Sequence, residues 1–171
     1  MAIFIIFPII FLAYILQVSV LPLFVIGNVF PNLILVLGFF LLLLKNFKNI
    51  FLIAFVGGIF LDLISPFFGP GILSLLILFF LLHKLSFNIA TLSDALKQFS
   101  ASGLLMLLIL VFFISLVYNF LHLGFSKLLY SDFNINWHYY LYFTFFQGIY
   151  NIFIFLILFY GKKILCKKRF S

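Results

Sequence analysis

Six apolar stretches follow one another along this chain, separated by shorter breaks, and they fix its solvent before any motif is considered. Of the 171 residues, 67% are hydrophobic and 8% charged, against about 25% charged in a soluble domain. The medium for most of the chain is therefore lipid, and the length leaves room for one domain. The expected fold class is all-α: a polytopic membrane protein built as a six-transmembrane-helix bundle.

The first run, 2–26, has Pro8 and Pro22 near its ends and Gln17 as its main polar group. At ~1.5 Å per residue it is long enough for a ~30 Å hydrocarbon core. No basic flank precedes it and no small-residue cleavage pattern follows it, which predicts a retained span rather than a removed signal. Gly27 and Asn28 predict a turn, and Pro31 suits the first turn of a second span, 30–44, which closes at Lys45-Asn46-Phe47-Lys48-Asn49. The third run, 50–65, stops at Pro66. The fourth, 71–87, reaches spanning length when His83 and Lys84 are included, with Lys84 extending to the interface. In 88–99, Ile89, Leu92, Leu96 and Phe99 share one side and Ser93, Asp94, Lys97 and Gln98 the other, the pattern of a helix lying on the membrane surface. The last spans are 103–123 and 137–160, with a polar loop between them. Trp137, Tyr139, Tyr140 and Tyr142 form an aromatic belt where the sixth span enters.

The third run holds a lone carboxylate, Asp62, inside apolar sequence. Ala54, Gly58, Asp62 and Ser65 fall on one side of a helix, so the carboxylate projects from a face of small groups that another helix can approach closely. A charge at membrane depth costs several kcal/mol unless it meets a partner or water. The face is expected to dock a helix, from the same bundle or from a partner protein. Gly57 and Gly58 lack the Lys-Ser/Thr pair of a phosphate-binding loop, as do Gly69 and Gly71. Gly58 reads as a close-packing site and 69–71 as a turn.

Charge sets orientation. With six spans, both termini share the side that carries Lys45, Lys48, Lys84, Lys97, Lys162, Lys163, Lys167, Lys168 and Arg169, leaving Lys127 opposite. If the fourth run did not cross, the basic carboxyl-terminal tail would lie outside, against the positive-inside rule. Both ends are therefore expected on the cytoplasmic side of the membrane. The formal charge of +7 sits at the ends of apolar runs, not on a basic face, and predicts no nucleic-acid partner.

Catalysis needs convergent acids, bases, nucleophiles or metal ligands. The chain has no glutamate and one cysteine, Cys166, which excludes an intramolecular disulfide and a cysteine-based metal site. Asp62 and His122 are the titratable pair that the topology brings toward one another, as a proton relay or cation site. In the competing arrangement Asp62 bonds to backbone or to a hydroxyl and His122 sits among headgroups. Gln17, Asn119, Gln147 and Asn151 are sparse polar groups in the other spans, suited to fixing helix packing through bonds across helices. The expectation is a non-catalytic protein with no cofactor and no metal.

Several of these residues resemble a known family. Leu16-Gln17 followed by Pro22, then Pro31-Asn32-Leu33, then Gly57-Gly58-Ile59-Phe60-Leu61-Asp62-Leu63-Ile64-Ser65 with Gly69 and Gly71 after it, look like the bacterial rod shape-determining protein MreD family. Asn151, about eleven residues before the final basic cluster, fits the last helix of the family. Asn32 stands where the family often has aspartate, and the loop carries Pro66 and Pro70, which the family usually lacks. The resemblance implies six transmembrane helices and a scaffold of the wall-elongation machinery. It implies an MreC-like partner, with MreB, RodA and the elongation-specific penicillin-binding protein as indirect partners. By the same resemblance Pro31, Asn32, Gly58, Asp62, Gly69 and Asn151 are family positions. The layout is also similar to the substrate-binding S component of energy-coupling-factor transporters. That alternative calls for a polar pocket near the outer face and a small-xxx-small stripe on the first helix, which Ala2 and Ala13 do not make.

Overall fold

The computed structural model describes the backbone of residues 2–24, 29–43, 50–97, 101–130 and 135–167, and the side chains of 7–23, 29–41, 43, 51–84, 103–130 and 135–161. The expected turns at Gly27-Asn28 and 45–49, the acid Asp132 and the tail residues Lys168 and Arg169 lie outside the described residues, as do the side chains of Cys166, Asp94 and Lys97.

The described chain is helical: α1 (Ala2–Ile15), α2 (Leu33–Leu43), α3 (Ile50–Ile64), α4 (Pro70–Lys97), α5 (Ala101–Leu129) and α6 (Trp137–Lys167). The segments Gly103–Leu129 and Trp137–Gly161 are long and apolar enough to cross a membrane, and Phe7–Leu23, Phe51–Ile64 and Pro70–Lys84 form shorter apolar helices. Large apolar side chains cover the outside as well as the core: Phe7 and Leu12 on α1, Phe55 and Leu63 on α3, Phe113 and Phe120 on α5, and Phe153 and Ile157 on α6 are all exposed. The bundle thus has the inverse of the polar surface that a water-soluble helical protein carries.

α2 is the exception, because it is enclosed. It packs against each of the other five helices, and Ile34, Leu35, Val36 and Phe39 are almost wholly buried. Around it lie Ala54 of α3, Leu75 and Phe79 of α4, Leu107 and Val111 of α5 and Phe155 of α6. A helix apolar on all sides and surrounded on all sides is the central strut of the bundle.

Several boundaries differ from the sequence expectation. The first run changes helix type after Ile15, passing through a π-helical turn at Leu16–Val20 and a 3-10 turn at Leu21–Phe24. Leu21 N–H bonds to the carbonyl of Leu16, and the following Pro22 has no N–H to offer a regular turn. α2 begins at Leu33, so Pro31 lies before the helix instead of in its first turn. α4 continues without a break at 87/88 and includes most of the expected surface segment 88–99. α5 runs through Gly124 to Leu129, shortening the expected loop. One helical glycine, costing ~1 kcal/mol relative to alanine, does not stop a helix that is otherwise satisfied.

The two adjacent glycines of α3 serve different neighbours. A Cβ on Gly57 would strike the Ile34 side chain of α2, whereas a Cβ on Gly58 would lie 2.5 Å from the Cα of Ile72 on α4. Side chains can adjust; the α4 backbone cannot without displacing the helix. Gly58→Ala is therefore expected to lower stability by about 1–3 kcal/mol, as overpacking does. Gly161→Ala, where nothing lies within 4 Å of the added carbon, should be neutral or stabilise by up to ~1 kcal/mol. Unfolding midpoints in detergent would check this; equal midpoints for the two variants would contradict the close approach.

Candidate functional site, a polar clamp and cleft at one end of the bundle

The start of α2, the end of α3, the start of α4, the second half of α5 and the first half of α6 meet at one end of the bundle, and the buried polar side chains gather there. Helix starts raise a specific difficulty: the first N–H groups have no partner within the helix, and an apolar interior offers no water. Both α2 and α4 begin inside protein, and each is capped by side chains from elsewhere.

At α4 the cap is Asp62. Its Oδ2 accepts the backbone N–H of Gly69 at 2.9 Å and of Ile72 at 3.1 Å, and its Oδ1 accepts that of Gly71 at 2.6 Å. The carboxylate is 2% exposed, so these bonds and the positive end of the α4 dipole take the place of hydration. Pro70 opens the helix, where its missing N–H is not needed. Gly69 adopts φ +115°, a region that disfavours side chains, and this bend turns the N–H groups toward Asp62. A Cβ on Gly71 would lie 2.5 Å from Asp62 Oδ1. Ser65 closes the turn by accepting the Phe67 N–H at 3.2 Å. Tyr130 pins the loop from α5, its hydroxyl donating to the Phe68 carbonyl at 2.8 Å and accepting the Phe68 N–H at 3.1 Å.

At α2 the cap is shared. Asn32 precedes the helix and its Oδ1 accepts the Leu35 N–H at 3.0 Å, an N-cap bond. The Asn32 N–H donates to Asn151 Oδ1 of α6 at 2.7 Å. The Leu33 N–H donates to Gln17 Oε1 at 3.1 Å, from the π-helical turn after α1. Behind this row, Asn151 Nδ2 donates to Ser115 Oγ at 2.8 Å, and the Ser115 hydroxyl donates to the Val111 carbonyl at 2.8 Å. Asn119 Nδ2 donates to Gln147 Oε1 at 2.8 Å, and Gln147 Nε2 donates to the Phe30 carbonyl at 3.2 Å. One network therefore joins the first run, α2, α5 and α6 through neutral groups.

The residues singled out from sequence separate into three sets. Asp62, Gly58, Gly69 and Gly71 form the α3–α4 joint, with Ser65 beside it. Gln17, Asn32, Asn119, Gln147 and Asn151 form the α2 clamp, with Pro31 buried before Asn32. Gly57 packs against the Ile34 side chain of α2 and belongs to neither set of hydrogen bonds. Of the two arrangements open for Asp62, backbone capping is the one present: both oxygens are engaged by N–H groups, and no ion pair with His122 occurs among the described residues. The His122 ring lies 5.9 Å from that of Tyr118, centroid to centroid. Among the described residues no cluster of three potential metal ligands is present.

Sequence reasoning missed Tyr118, Tyr130 and Ser115 as parts of the site. Ser115 was discernible at four residues before Asn119 on the same helix face. Tyr130 gave no signal, because its role depends on where a loop sixty-odd residues earlier arrives.

Between the two caps is a partly open cleft of about 290 Å³, lined by Gln17, Phe30, Asn32, Leu61, Ile64, Ser65, Pro66, Tyr118, Asn119, His122, Phe143 and Gln147. Clamp residues Gln17, Asn32, Asn119 and Gln147 line it, together with Ser65 and Pro66 of the α3–α4 loop.

Asp62→Ala removes three bonds to a buried carboxylate and is expected to destabilise the bundle by about 3 kcal/mol or more. Asp62→Asn retains shape and part of the acceptor capacity and should lose less. Asn151→Leu should cost about 1–3 kcal/mol by orphaning the Asn32 N–H and removing the donor to Ser115 Oγ. Detergent unfolding of the three variants measures the order; an Asp62→Ala protein as stable as the parent would refute the capping role.

No protein-family model, no curated protein and no solved structure matches the chain.

Proposed function

We propose that the chain is a six-crossing inner-membrane scaffold of the MreD type, with both termini in the cytoplasm, that binds an MreC-like partner and through it supports cell shape and peripheral peptidoglycan synthesis. The observation that carries this reading is how the buried polar groups are used. Asp62, Gln17, Asn32, Asn119, Gln147 and Asn151 are engaged in holding helices together. The outer faces are left broad and apolar. A bundle fixed internally and greasy externally suits docking of other membrane helices. The basic residues at the ends of the runs favour the stated orientation.

Because Gly58 and Asp62 are occupied by α4, the partner docks on another face. The exposed aromatic patch where Phe7 and Phe11 of α1 meet Phe60 of α3 is available in the same half of the bundle, with centroid separations of 6.2 and 6.0 Å. The cleft favours a second reading, a ligand-capturing membrane subunit similar to the S component of an energy-coupling-factor transporter. Affinity purification in mild detergent separates the two. Recovery of wall-elongation proteins is the expected result, and recovery of a pair of ATPases with a transmembrane coupling subunit would replace the scaffold by the transporter reading. A reporter fused after Ser171 is expected to be cytoplasmic; an external reporter would overturn the topology.

A further inference from the structure

We propose that the cleft between the two helix caps is a binding site for a small, uncharged, ring-containing molecule that both donates and accepts hydrogen bonds. The inference goes beyond the scaffold reading, since a ligand there is compatible with either proposed role.

Size comes first. At about 30 Å³ for each water-sized group, 290 Å³ holds roughly ten such groups, which suits a single substituted ring better than a lipid chain or a peptide. The walls suit a ring as well: Phe30 and Phe143 meet edge to face at 6.3 Å, and Tyr118 and His122 present two more rings. Apolar walls with a few convergent polar groups are the usual make-up of a small-molecule site.

Charge is decided by what the lining lacks and by where the nearby carboxylate is spent. None of the lining residues is an acid, a lysine or an arginine. Asp62 lies behind the wall with three N–H groups on its two oxygens. A cationic ligand finds no counter-charge, and an anionic one finds no lysine, arginine or free helix start. Either would surrender its hydration for neutral groups, a costly exchange.

Polar capacity remains for a neutral ligand. Gln17 uses its carbonyl oxygen on Leu33, and its NH₂ has no acceptor among the described residues. Asn119 and Gln147 spend one amide group on each other, leaving the Asn119 carbonyl oxygen without a donor among the described residues. With the His122 imidazole these offer donors and acceptors in one cleft, the complement of a carboxamide or a ring lactam.

Three molecules of one shape test this: benzamide, which is neutral, benzoate, which is anionic, and benzamidinium, which is cationic. Saturation-transfer NMR on the full chain in lipid nanodiscs reads their binding. Ile64→Trp is the blocking variant, because Ile64 lines the cleft, is exposed and contributes no side-chain hydrogen bond to either cap. The expected result is transfer to benzamide that weakens about tenfold or more in Ile64→Trp, with benzoate and benzamidinium at least about tenfold weaker than benzamide, a difference of ~1.4 kcal/mol. Helicity and elution volume of Ile64→Trp verify folding; if it fails to fold, Leu61→Phe serves as the blocker. No transfer to benzamide with folded protein, equal binding of the three probes, or benzamide binding unaffected by a folded blocking variant would each overturn the proposal. None of these outcomes bears on which proteins co-purify, so failure here is distinct from failure of the scaffold reading.

Discussion

The structure depends on one constraint: a helix that begins inside a low-dielectric bundle must have its first N–H groups met by protein. Two helices here begin that way, and the protein meets them differently. α4 receives a full negative charge from Asp62, while α2 receives three neutral acceptors, Asn32, Gln17 and Asn151. A carboxylate suits α4 because its partner N–H groups converge within a single turn and a positive-φ glycine bends the chain toward them. Amides suit α2 because each acceptor comes from a different element. Neutral groups from three places carry no mutual repulsion, and Asn151 uses its second functional atom to bond onward to Ser115 of α5.

This division explains why the polar residues are few and gathered at one end. Every polar side chain buried in an apolar bundle needs a partner, and helix starts supply partners ready-made. Asp62, Gln17 and Asn151 each answer an unmet donor that the fold already contains, so they add no unmet requirement. The opposite half of the bundle holds mid-helix backbone already paired with itself. There Phe39, Phe79 and Phe155 pack without polar assistance.

Much of this was legible in the sequence, and the rest was not for identifiable reasons. Asp62 in an apolar run had to face protein, and Gly58 one turn earlier had to admit a close neighbour; both follow from local spacing and both hold. The identity of the neighbour did not follow, because helical spacing gives the direction of a side chain and not which element stands there. The sequence equally permitted a foreign helix, and the occupant is the start of the next helix, seven to ten residues on. The start of α2 was misplaced by two residues because proline is common both before a cap and after it; Asn32 bonding to Leu35 decides the matter. The end of α5 was drawn early at Gly124, since a glycine near a polar stretch resembles a stop when the tertiary contacts that carry a helix past it are unknown.

Using the lone buried charge internally moves the search for an outside partner. A carboxylate left open on a lipid-facing surface would have drawn a cationic or hydrogen-bonding helix and defined a polar interface. With Asp62 closed off by Gly69, Gly71 and Ile72, a helix docking on the described outer faces in a lipid medium would have to rely on shape and dispersion between apolar surfaces, which there means close packing rather than hydrophobic gain. Such contacts require a rigid template, because a surface that shifts loses the fit from which its energy comes. The two caps supply that rigidity by fixing α2 and α4 against α3, α5 and α6. The polar end of the bundle therefore governs how well the apolar faces can recognise anything, although it need not touch what they bind.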